Sequence, residues 1–323
     1  MSKNYRILSL DGGGIRGVIT AYWLSKLEEI RPEVPLRERF DLIAGTSTGS
    51  ILACGLAKGL KARDIVRLYR ERGREVFPGT GWRIASRFER IFAEGTSAPK
   101  YDVKGISRVL KDNFGDTLFG DLHPDVLVVA YDTKGREATV MKNTKPEHKP
   151  LPVWEVCKAS SSAPTYFPAH VMTIGSEEVP LIDGGVVANN PAACAIAEGV
   201  VANASKSLEE HIPIEQFVVA SFGTGESTRP ISAKQAKEWG ALEWAIPIIQ
   251  VLFDGSGDAT NYIADKLIPK GRYFRFQTRL DKGYDDMDNT SVTNIDALLS
   301  VAAYHLSSEG GKDRLEQLDS LLK

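Results

Sequence analysis

This sequence has few of the residues that build disulfide scaffolds or metal sites. Of its 323 residues only three are cysteines, Cys54, Cys157 and Cys194, and they lie far apart in apolar surroundings. An odd number of scattered cysteines predicts buried, reduced thiols, and no pair has the spacing of metal ligands. We therefore expect neither a metal nor another cofactor.

Long apolar segments and a large net charge are also missing. The most apolar stretch, residues 245–253, is interrupted by Pro247 and is far shorter than the roughly 20 residues that a membrane-spanning helix needs. The net charge of −2 gives no reason to expect nucleic acid as a partner. The N-terminal apolar run is too short for a signal peptide and leads directly into a glycine-rich turn. We expect a cytoplasmic protein that meets lipid only from the aqueous side, as a peripheral protein.

What the sequence does contain is a repeated arrangement of strand, glycine turn and helix. Residues 5–11 are a β-prone apolar run that ends at three glycines, and residues 18–30 follow with apolar side chains at helical spacing. Residues 40–45 form a second run of this kind, and a helix closed by Gly59 comes after it. This alternation predicts a mainly parallel sheet with helices on its faces.

Later apolar runs extend this pattern. Further strands are predicted at residues 125–132, 179–185, 216–225 and 273–280. A helix is predicted after Asn190, which suits a cap, with Pro191 in its first turn. No repeat, low-complexity tract or long linker divides the chain, so one domain over residues 1–323 is expected.

Two segments have patterns that fit more than one role. Residues 72–100 mix glycine, proline, tryptophan and arginine and predict a loop or lid. The aromatic and arginine side chains between residues 76 and 92 either touch a lipid surface or pack on the sheet. Residues 239–253 are apolar and favour the core or a contact within an oligomer over a membrane anchor.

Gly45-Thr46-Ser47-Thr48-Gly49 fits the G-x-S-x-G nucleophile elbow. In this motif the serine occupies a strained turn between a strand and a helix, and the flanking glycines let the backbone pass closely while the hydroxyl is exposed. The pattern alone recurs by chance, but this copy follows a predicted strand and opens a predicted helix. Ser47 is therefore a candidate nucleophile.

Gly12-Gly13-Gly14-Ile15-Arg16-Gly17 follows the first predicted strand. Adjacent glycines there can direct successive backbone N–H groups to one point, which stabilisation of an oxyanion requires. Arg16 either adds a fixed charge at this point or forms a structural salt bridge. The same residues match the dinucleotide-binding pattern G-x-G-x-x-G, but that function expects an acidic residue at the end of the next strand, where this chain has Gly45 to Gly49.

Asp183-Gly184-Gly185 is the third motif that could carry chemistry. An apolar run brings the Asp183 carboxylate to the end of a predicted strand, and active sites of open α/β sheets collect at strand ends. An isolated Asp-Gly pair is usually only a turn. In the company of the other two motifs, Asp183 becomes a candidate base.

Together and in this order, DGGGIRG, GTSTG and DGG resemble the patatin-like phospholipase family. ASSSAPTYFP (residues 159–168), the NNP after the DGG, and SFGTG (residues 221–225) are also similar to family segments, so that the resemblance spans about residues 5–225. It implies a patatin-like α/β fold, related to the α/β hydrolases, with a central, mainly parallel sheet sandwiched by helices. The C-terminal helices and a strand are expected to complete this fold. The implied substrates are phospholipids or other lipid esters at a membrane surface.

The resemblance also assigns roles to positions. Ser47 is expected to be the nucleophile and Asp183 the base of a Ser–Asp dyad that works through an acyl-enzyme. The amides of Gly12, Gly13 and Gly14 are expected to form the oxyanion hole. The supporting motif positions are Arg16, Gly17, Gly45, Gly49, Gly184 and Gly185.

Two alternatives stay open. A Ser–His–Asp triad needs a histidine after Asp183, which admits only His211 and His305; His211 lies in a polar stretch, so His305 is the candidate. The second alternative concerns regulation, because some bacterial patatin-like proteins resemble effectors that cyclic nucleotides switch on in antiphage defence. Nothing in composition or spacing separates a constitutive phospholipase A from such a ligand-gated enzyme.

Overall fold

Eight strands in the described part of the chain form one sheet. The computed structural model describes residues 3–78, 99–207, 209–228, 230–245, 247–280, 284–308 and 310–323. The strands are β1 (Tyr5–Leu10), β2 (Leu42–Thr46), β3 (Asp125–Asp132), β4 (Glu137–Lys142), β5 (His170–Ile174), β6 (Glu177–Asp183), β7 (Phe217–Phe222) and β8 (Tyr273–Phe276). Their order is β5-β6-β3-β2-β1-β7-β8, and β4 pairs with β3.

Helices connect these strands and cover the sheet. In the same part of the chain they are α1 (Gly17–Ile30), α2 (Leu36–Arg39), α3 (Thr48–Lys58), α4 (Ala62–Val76), α5 (Val103–Phe114), α6 (Val153–Ser160), α7 (Gly185–Ala188), α8 (Ala192–Ala204), α9 (Ala233–Glu238), α10 (Ala241–Trp244), α11 (Pro247–Leu267), α12 (Val292–Ser308) and α13 (Gly311–Leu321). The helix α8 begins one residue later than predicted, with Pro191 at the N-cap position and not in the first turn, and the Asn190 side-chain oxygen accepts from the Ala192 amide at 3.0 Å.

Both faces of the sheet are buried. Successive side chains of a strand point to opposite faces, and on β1 Leu8 and Leu10 enter one apolar core while Tyr5 and Ile7 enter the other. The strands at the centre, β3, β2, β1, β7 and β8, run parallel to one another. The predicted fold class, a mainly parallel sheet between helices, is confirmed.

The antiparallel side of the sheet contains two strands that the sequence did not predict. β4 and β5 each bury only one side chain fully, Met141 and Met172, and expose or half-expose the rest. A strand with so little buried surface lacks the apolar run by which the other strands were found. Both pair antiparallel with a longer neighbour.

The register of β3 places the ends of two strands against each other. β2 pairs with the first half of β3 and ends with Thr46 opposite Val129, whereas β6 pairs with the second half, with Asp183 opposite Ala130. β4 occupies the other edge of β3. β2 and β6 therefore share one edge of β3, run towards each other, and end at the same place.

The C-terminal third belongs to the same sheet and cores. β8 pairs with β7, and the Trp23 indole of α1 donates to the Ala302 carbonyl of α12 at 2.9 Å. Asp319 of α13 forms ion pairs with Arg31 and Arg39. No helix in the described ranges is long and apolar enough to cross a bilayer.

The two segments of ambiguous pattern are only partly described. Residues 72–76 of the predicted loop are the last part of α4, and residues 79–98 lie outside the described residues. In the apolar segment 239–253, Ile249 and Phe253 are buried, as predicted for the core, while Ile248 and Val251 are exposed.

Candidate active site

Ser47 lies on a strained turn between β2 and α3. Its φ of 53° and ψ of −126° are values that a residue with a side chain rarely adopts. Gly49 makes the turn sterically possible, because a Cβ at this position would lie 2.1 Å from the carbonyl oxygen of Leu10. The start of α3 can thus approach the end of β1, which keeps the Ser47 hydroxyl at the carboxyl end of the sheet.

The Ser47 hydroxyl donates a hydrogen bond directly to Asp183. Ser47 Oγ and Asp183 Oδ2 are 2.7 Å apart, and the other carboxylate oxygen accepts from the Gly185 amide at 2.8 Å. Asp183 is fully buried and Ser47 is 6% exposed. Burial raises the pKa of Asp183 to about 7, although the hydrogen bonds from Ser47 and Gly185 act in the opposite direction. A carboxyl group with this pKa can accept and return a proton near neutral pH.

One short turn contacts both members of this pair. Ser160 Oγ accepts from the Ser47 amide at 2.8 Å and donates to the Val129 carbonyl at 2.6 Å. Two residues later, the Ser162 carbonyl accepts from the Asp183 amide at 3.0 Å. The turn at residues 160–162 therefore fixes the backbone of both Ser47 and Asp183. The sequence marked this segment only by its resemblance to the family and gave no role to Ser160.

The glycine loop after β1 lies beside Ser47 and Asp183, but its three backbone amides differ in their hydrogen bonding. The Gly12 amide already donates to the Asn189 carbonyl at 3.1 Å, so it is not available to an oxyanion in this conformation. The amides of Gly13 and Gly14 have no hydrogen-bond acceptor among the described residues. Gly14 has a φ of 60°, and a Cβ there would lie 2.1 Å from the Met287 carbonyl oxygen. Of the three amides predicted to form the oxyanion hole, those of Gly13 and Gly14 are thus without an acceptor among the described residues, and that of Gly12 has one.

Arg16 donates to the backbone at Asp285. Its guanidinium is buried, and Nη1 lies 3.4 Å from the Asp285 carbonyl oxygen. Burial lowers the pKa of Arg16, and the nearby acidic residues, Asp254 first, oppose this effect. The other supporting positions of the three motifs are all buried glycines: Gly17, Gly45, Gly49, Gly184 and Gly185.

Asp11, at the start of the glycine loop, forms an ion pair with Arg275 of β8. Arg275 of β8 donates to both carboxylate oxygens of Asp11, at 3.0 Å and 2.6 Å, and to Ser221 Oγ at 2.9 Å. This bidentate ion pair is almost completely buried and ties the start of the glycine loop to the sheet. Sequence reasoning missed Arg275, because no local pattern links it to a partner 264 residues away.

Ser47 and Asp183 lie on the wall of a mostly apolar cavity. Its volume is about 800 Å³, including its open mouth. Gly14 of the glycine loop lines the same cavity, and the remaining wall comes mainly from α3, α4, α5 and the segment after α6. The apolar side chains on this wall are Ile15, Ile51, Leu68, Val76, Phe77, Ile106, Val109, Ala163, Phe167, Phe253 and Met287.

No histidine of the described residues lines this cavity. The ring of His305, the candidate of the triad alternative, packs on Trp23 with 5.1 Å between the ring centroids. His211 Nδ1 lies 3.0 Å from the Asn203 carbonyl oxygen, beyond α8. The hydroxyl of Ser47 therefore contacts a carboxylate where a triad would have an imidazole.

The chain is similar to known proteins both in structure and in sequence. Human GIVD cytosolic phospholipase A2 superposes on 99% of this chain and 60% of its own length, with 10% identity and a TM-score of 0.48. Patatin-like protein 2 of Arabidopsis thaliana is 31% identical over 329 residues, covering 90% of this chain and 80% of the relative. Patatin-like protein 2 of Oryza sativa subsp. indica is 29% identical over 355 residues, covering 97% and 86%.

The family profile gives the same result. The profile described as patatin-like phospholipase matches residues 8–196, which include all three motifs and the turn at residues 160–162. This confirms the resemblance inferred from the motifs and supports lipid hydrolase activity. The chain belongs to the patatin-like phospholipase family.

Proposed function

We propose that this protein hydrolyses fatty-acyl esters of lipids through a Ser47–Asp183 dyad and an acyl-enzyme intermediate. The observation that carries the proposal is the 2.7 Å hydrogen bond from Ser47 Oγ to a fully buried carboxylate, at the wall of an apolar cavity. An apolar cavity suits an acyl chain. An activated serine at its wall suits attack on the ester that ends this chain.

In the first half of the reaction, Ser47 Oγ attacks the ester carbonyl carbon while its proton moves to Asp183 Oδ2. The carbonyl oxygen becomes an oxyanion, and the amides of Gly13 and Gly14, which have no other acceptor in the described structure, are suited to stabilise it. The tetrahedral intermediate then breaks its bond to the alcohol. Asp183 returns the proton to the leaving alcohol, and the acyl group stays on Ser47.

In the second half, a water molecule replaces the alcohol. Asp183 accepts a proton from this water as its oxygen attacks the acyl carbon, and a second tetrahedral intermediate forms. Its collapse releases the fatty acid, and the proton returns to Ser47 Oγ. The same carboxylate acts as base and acid in both halves, which requires a pKa near the working pH; burial of Asp183 provides such a value.

A fluorophosphonate probe tests the nucleophile directly. Such a probe forms a stable bond only with an activated serine, so mass spectrometry of the labelled protein should find one adduct, on the peptide that contains Ser47. Release of fatty acid from phospholipid vesicles should fall in parallel with labelling. An active protein that is not labelled, or is labelled at another serine, would contradict the proposal.

Regulation is tested in the same assay. Fatty-acid release from vesicles without any added ligand supports a constitutive phospholipase. Release that requires a cyclic dinucleotide supports the ligand-gated alternative. The oligomeric state is measured on the same sample by light scattering.

A further inference from the structure

The segment that follows β7 has no role in the reaction described above. Residues 221–225, SFGTG, are similar to a family segment, yet they include neither Ser47 nor Asp183 nor an amide of the proposed oxyanion hole. Thr224 in this segment is 3% exposed, and its hydroxyl donates to the Gly12 carbonyl at 2.7 Å. This bond joins the segment to the loop that carries the proposed oxyanion donors.

Thr224 is held in place by hydrogen bonds on either side of it. The Gly223 amide donates to the Phe276 carbonyl of β8 at 2.8 Å. The Gly225 amide donates to Gln277 Oε1, just beyond β8, also at 2.8 Å. The backbone of Thr224 therefore has a fixed place relative to the sheet, and its hydroxyl can act as a fixed donor.

Gly13 lets Thr224 approach the glycine loop closely. A Cβ at position 13 would lie 2.2 Å from Thr224 Oγ1 and 2.7 Å from Thr224 Cβ. Any other residue at this position would therefore displace the threonine or the loop. The contact with Thr224 explains why the loop needs a glycine here.

The Gly12 carbonyl belongs to the same peptide group as the Gly13 amide. This peptide is trans, because the only cis bond among the described residues is His123–Pro124. In a trans peptide the C=O and N–H bonds lie in one plane and point in opposite directions. A hydroxyl that holds the Gly12 carbonyl therefore also fixes the direction of the Gly13 N–H, which points away from Thr224.

Thr224 and Ser47 lie on different sides of this loop. Ser47 and Gly14 line the apolar cavity, and Thr224 does not. Thr224 lines a second cavity with polar walls, to which neither Ser47 nor Gly14 contributes. An N–H that points away from Thr224 is thus directed away from the polar side of the loop, and the Gly13 amide has no acceptor there or elsewhere in the described structure.

A peptide between two glycines needs a contact that fixes its orientation. Glycine adopts backbone conformations that other residues avoid, so the peptide between Gly12 and Gly13 can rotate at little steric cost. No donor other than Thr224 reaches the Gly12 carbonyl among the described residues. Without this hydroxyl the buried carbonyl would lack a partner, at a cost of about 1–3 kcal/mol. Rotation towards another donor would turn the Gly13 N–H with it.

The same bond makes the Gly13 N–H a stronger donor. A hydrogen bond to a carbonyl polarises its peptide group, and bonds linked in this way strengthen one another by roughly 10–30% each. Thr224, Gly12 and Gly13 are all buried, so that water does not weaken this effect. The Thr224 hydroxyl therefore contributes to both the direction and the strength of the donor.

We propose that Thr224 is a positioning residue of the oxyanion hole. Its hydroxyl holds the Gly12 carbonyl and, through the plane of the peptide, directs the Gly13 N–H to the oxyanion that forms when Ser47 attacks the ester. This inference rests on the proposed function and adds a residue to its mechanism. Thr224 acts through the peptide and does not contact the ester, because it lies outside the wall of the apolar cavity.

Thr224→Val tests this role, because valine has a similar shape and lacks the hydroxyl. We expect kcat for p-nitrophenyl butyrate to fall roughly ten- to hundredfold with little change in KM, a loss below that of a whole oxyanion donor. Thr224→Ser keeps the hydroxyl and should restore kcat to within about threefold of the wild type. Thr224→Ala also lacks the hydroxyl and replaces the valine variant if that variant does not fold.

An analogue of the oxyanion gives a measurement that a purely structural role would not change. When a trifluoromethyl ketone binds, Ser47 Oγ bonds to its carbonyl carbon, the proton moves to Asp183, and the carbonyl oxygen becomes an oxyanion. Such an analogue resembles the transition state, so its Ki should rise in Thr224→Val by the factor by which kcat/KM falls. The bend of the pH profile near pH 7 should stay in place, because it belongs to Asp183.

Thr20→Val is the matched control. Thr20 is a fully buried threonine of α1, and its hydroxyl donates to the Gly223 carbonyl at 2.6 Å, one residue before Thr224. The variant loses the same kind of bond to the same segment but leaves the Gly12 carbonyl with its donor. Its kcat and its affinity for the ketone should stay within about threefold of the wild type.

The possible failures are distinguishable. Full kcat and full ketone affinity in Thr224→Val, or equal losses in Thr20→Val or Thr224→Ser, overturn the role of Thr224 and leave the hydrolase intact. A fall in kcat without a rise in Ki, or a displaced pH bend, also overturns it, because the effect then does not pass through the oxyanion. Absence of ester hydrolysis in the wild type overturns the proposed function and this inference with it.

Discussion

Ser47 and Asp183 touch each other and both contact the turn at residues 160–162, yet otherwise they depend on different parts of the fold. Ser47 is positioned by its immediate neighbours: the end of β2, the start of α3, and a Ser50 hydroxyl that donates to its carbonyl at 2.6 Å. Asp183 is positioned from a distance, by the register of β6 on β3 and by burial in the sheet. The nucleophile is a local feature of the chain, whereas the base depends on the assembled sheet.

The two residues also differ in the kind of strain they carry. At Ser47 the strain is conformational, because a side chain is held at a φ of 53°. At Asp183 it is electrostatic, because a carboxylate is removed from water and receives no cationic partner in return. Four experiments test the conformational strain at Ser47 and the electrostatic strain at Asp183. They follow in order of decreasing expected effect.

Replacement of the nucleophile should have the largest effect. Ser47→Ala removes the attacking oxygen but keeps the turn, so we expect ester hydrolysis to fall about 10⁴-fold or more while circular dichroism and the unfolding midpoint change little. Ser25→Ala is a control, since Ser25 is a buried helical serine whose hydroxyl, among the described residues, donates only to the Tyr22 carbonyl. Comparable loss in both variants would contradict a specific role of Ser47.

Replacement of the base should improve stability while it reduces activity. In the folded protein the pKa of Asp183 is raised from 3.8 to about 7, so the ionised form is disfavoured by folding. This penalty is absent below about pH 4, grows as the pH rises to 7, and stays constant above. Asp183→Asn carries no such penalty, and we expect its free energy of unfolding at pH 8 to exceed the wild-type value by up to about 4 kcal/mol.

Urea unfolding at pH 8 and pH 4 measures this difference. The gain in Asp183→Asn should be present at pH 8 and nearly vanish at pH 4, and ester hydrolysis should be lost at both. Asp265→Asn, at an exposed residue paired with Lys266, should show no pH-dependent gain. A variant that is less stable than the wild type at pH 8 would show that the carboxylate is better satisfied than its burial indicates.

This contrast explains which half of the site could be read from the sequence. The Ser47 turn needs five adjacent residues in a strand–turn–helix context, and all of them are visible in one window of sequence. The contact between Ser47 and Asp183 depends on Thr46 and Asp183 lying opposite adjacent residues of β3, which no local pattern specifies. For Asp183 the sequence supplied only a weak signal, a carboxylate at a strand end, and its assignment as the base depended on the other two motifs, on the family resemblance and on the lack of a convincing histidine.

The same reason accounts for the other differences. The central parallel strands were found from their apolar runs, but β4 and β5 bury too little to produce one. The loop of Gly12, Gly13 and Gly14 was recognised as a set of donors, although the competing bond from Gly12 to the Asn189 carbonyl arises only when α7 packs beside it. The sequence shows which residue types are present, but it does not show which distant residues they contact in the folded protein.

Ser160 links the two halves, and its replacement should have an intermediate effect. Ser160→Ala leaves the Ser47 amide and the Val129 carbonyl without their partner, at a cost of about 1–3 kcal/mol. Because Ser160 positions the nucleophile and does not line the apolar cavity, we expect kcat to fall roughly ten- to hundredfold with little change in KM. Steady-state kinetics on a soluble ester separates the two constants.

Ser162→Ala is the matched control for this variant. It removes a hydroxyl from the same turn, which donates to the Lys158 carbonyl, but keeps the Ser162 carbonyl that accepts from the Asp183 amide. Its effect on kcat should be much smaller. Equal losses in both variants would indicate that the whole turn has shifted and that the bond from Ser47 to Ser160 has no special part.

The pH dependence of the wild-type enzyme should show the smallest effect and concerns Asp183 alone. Its carboxyl group acts as a base only when ionised, so kcat/KM should rise about tenfold per pH unit up to a bend near pH 7 and then level off.

A histidine base would give a pH profile with its bend at a similar pH. An organic cosolvent distinguishes them, because a lower dielectric constant raises the pKa of a carboxyl group, whose ionisation creates charge, and hardly changes that of an imidazolium. A bend that moves to higher pH in cosolvent supports the dyad, and a bend that stays in place supports the triad with His305.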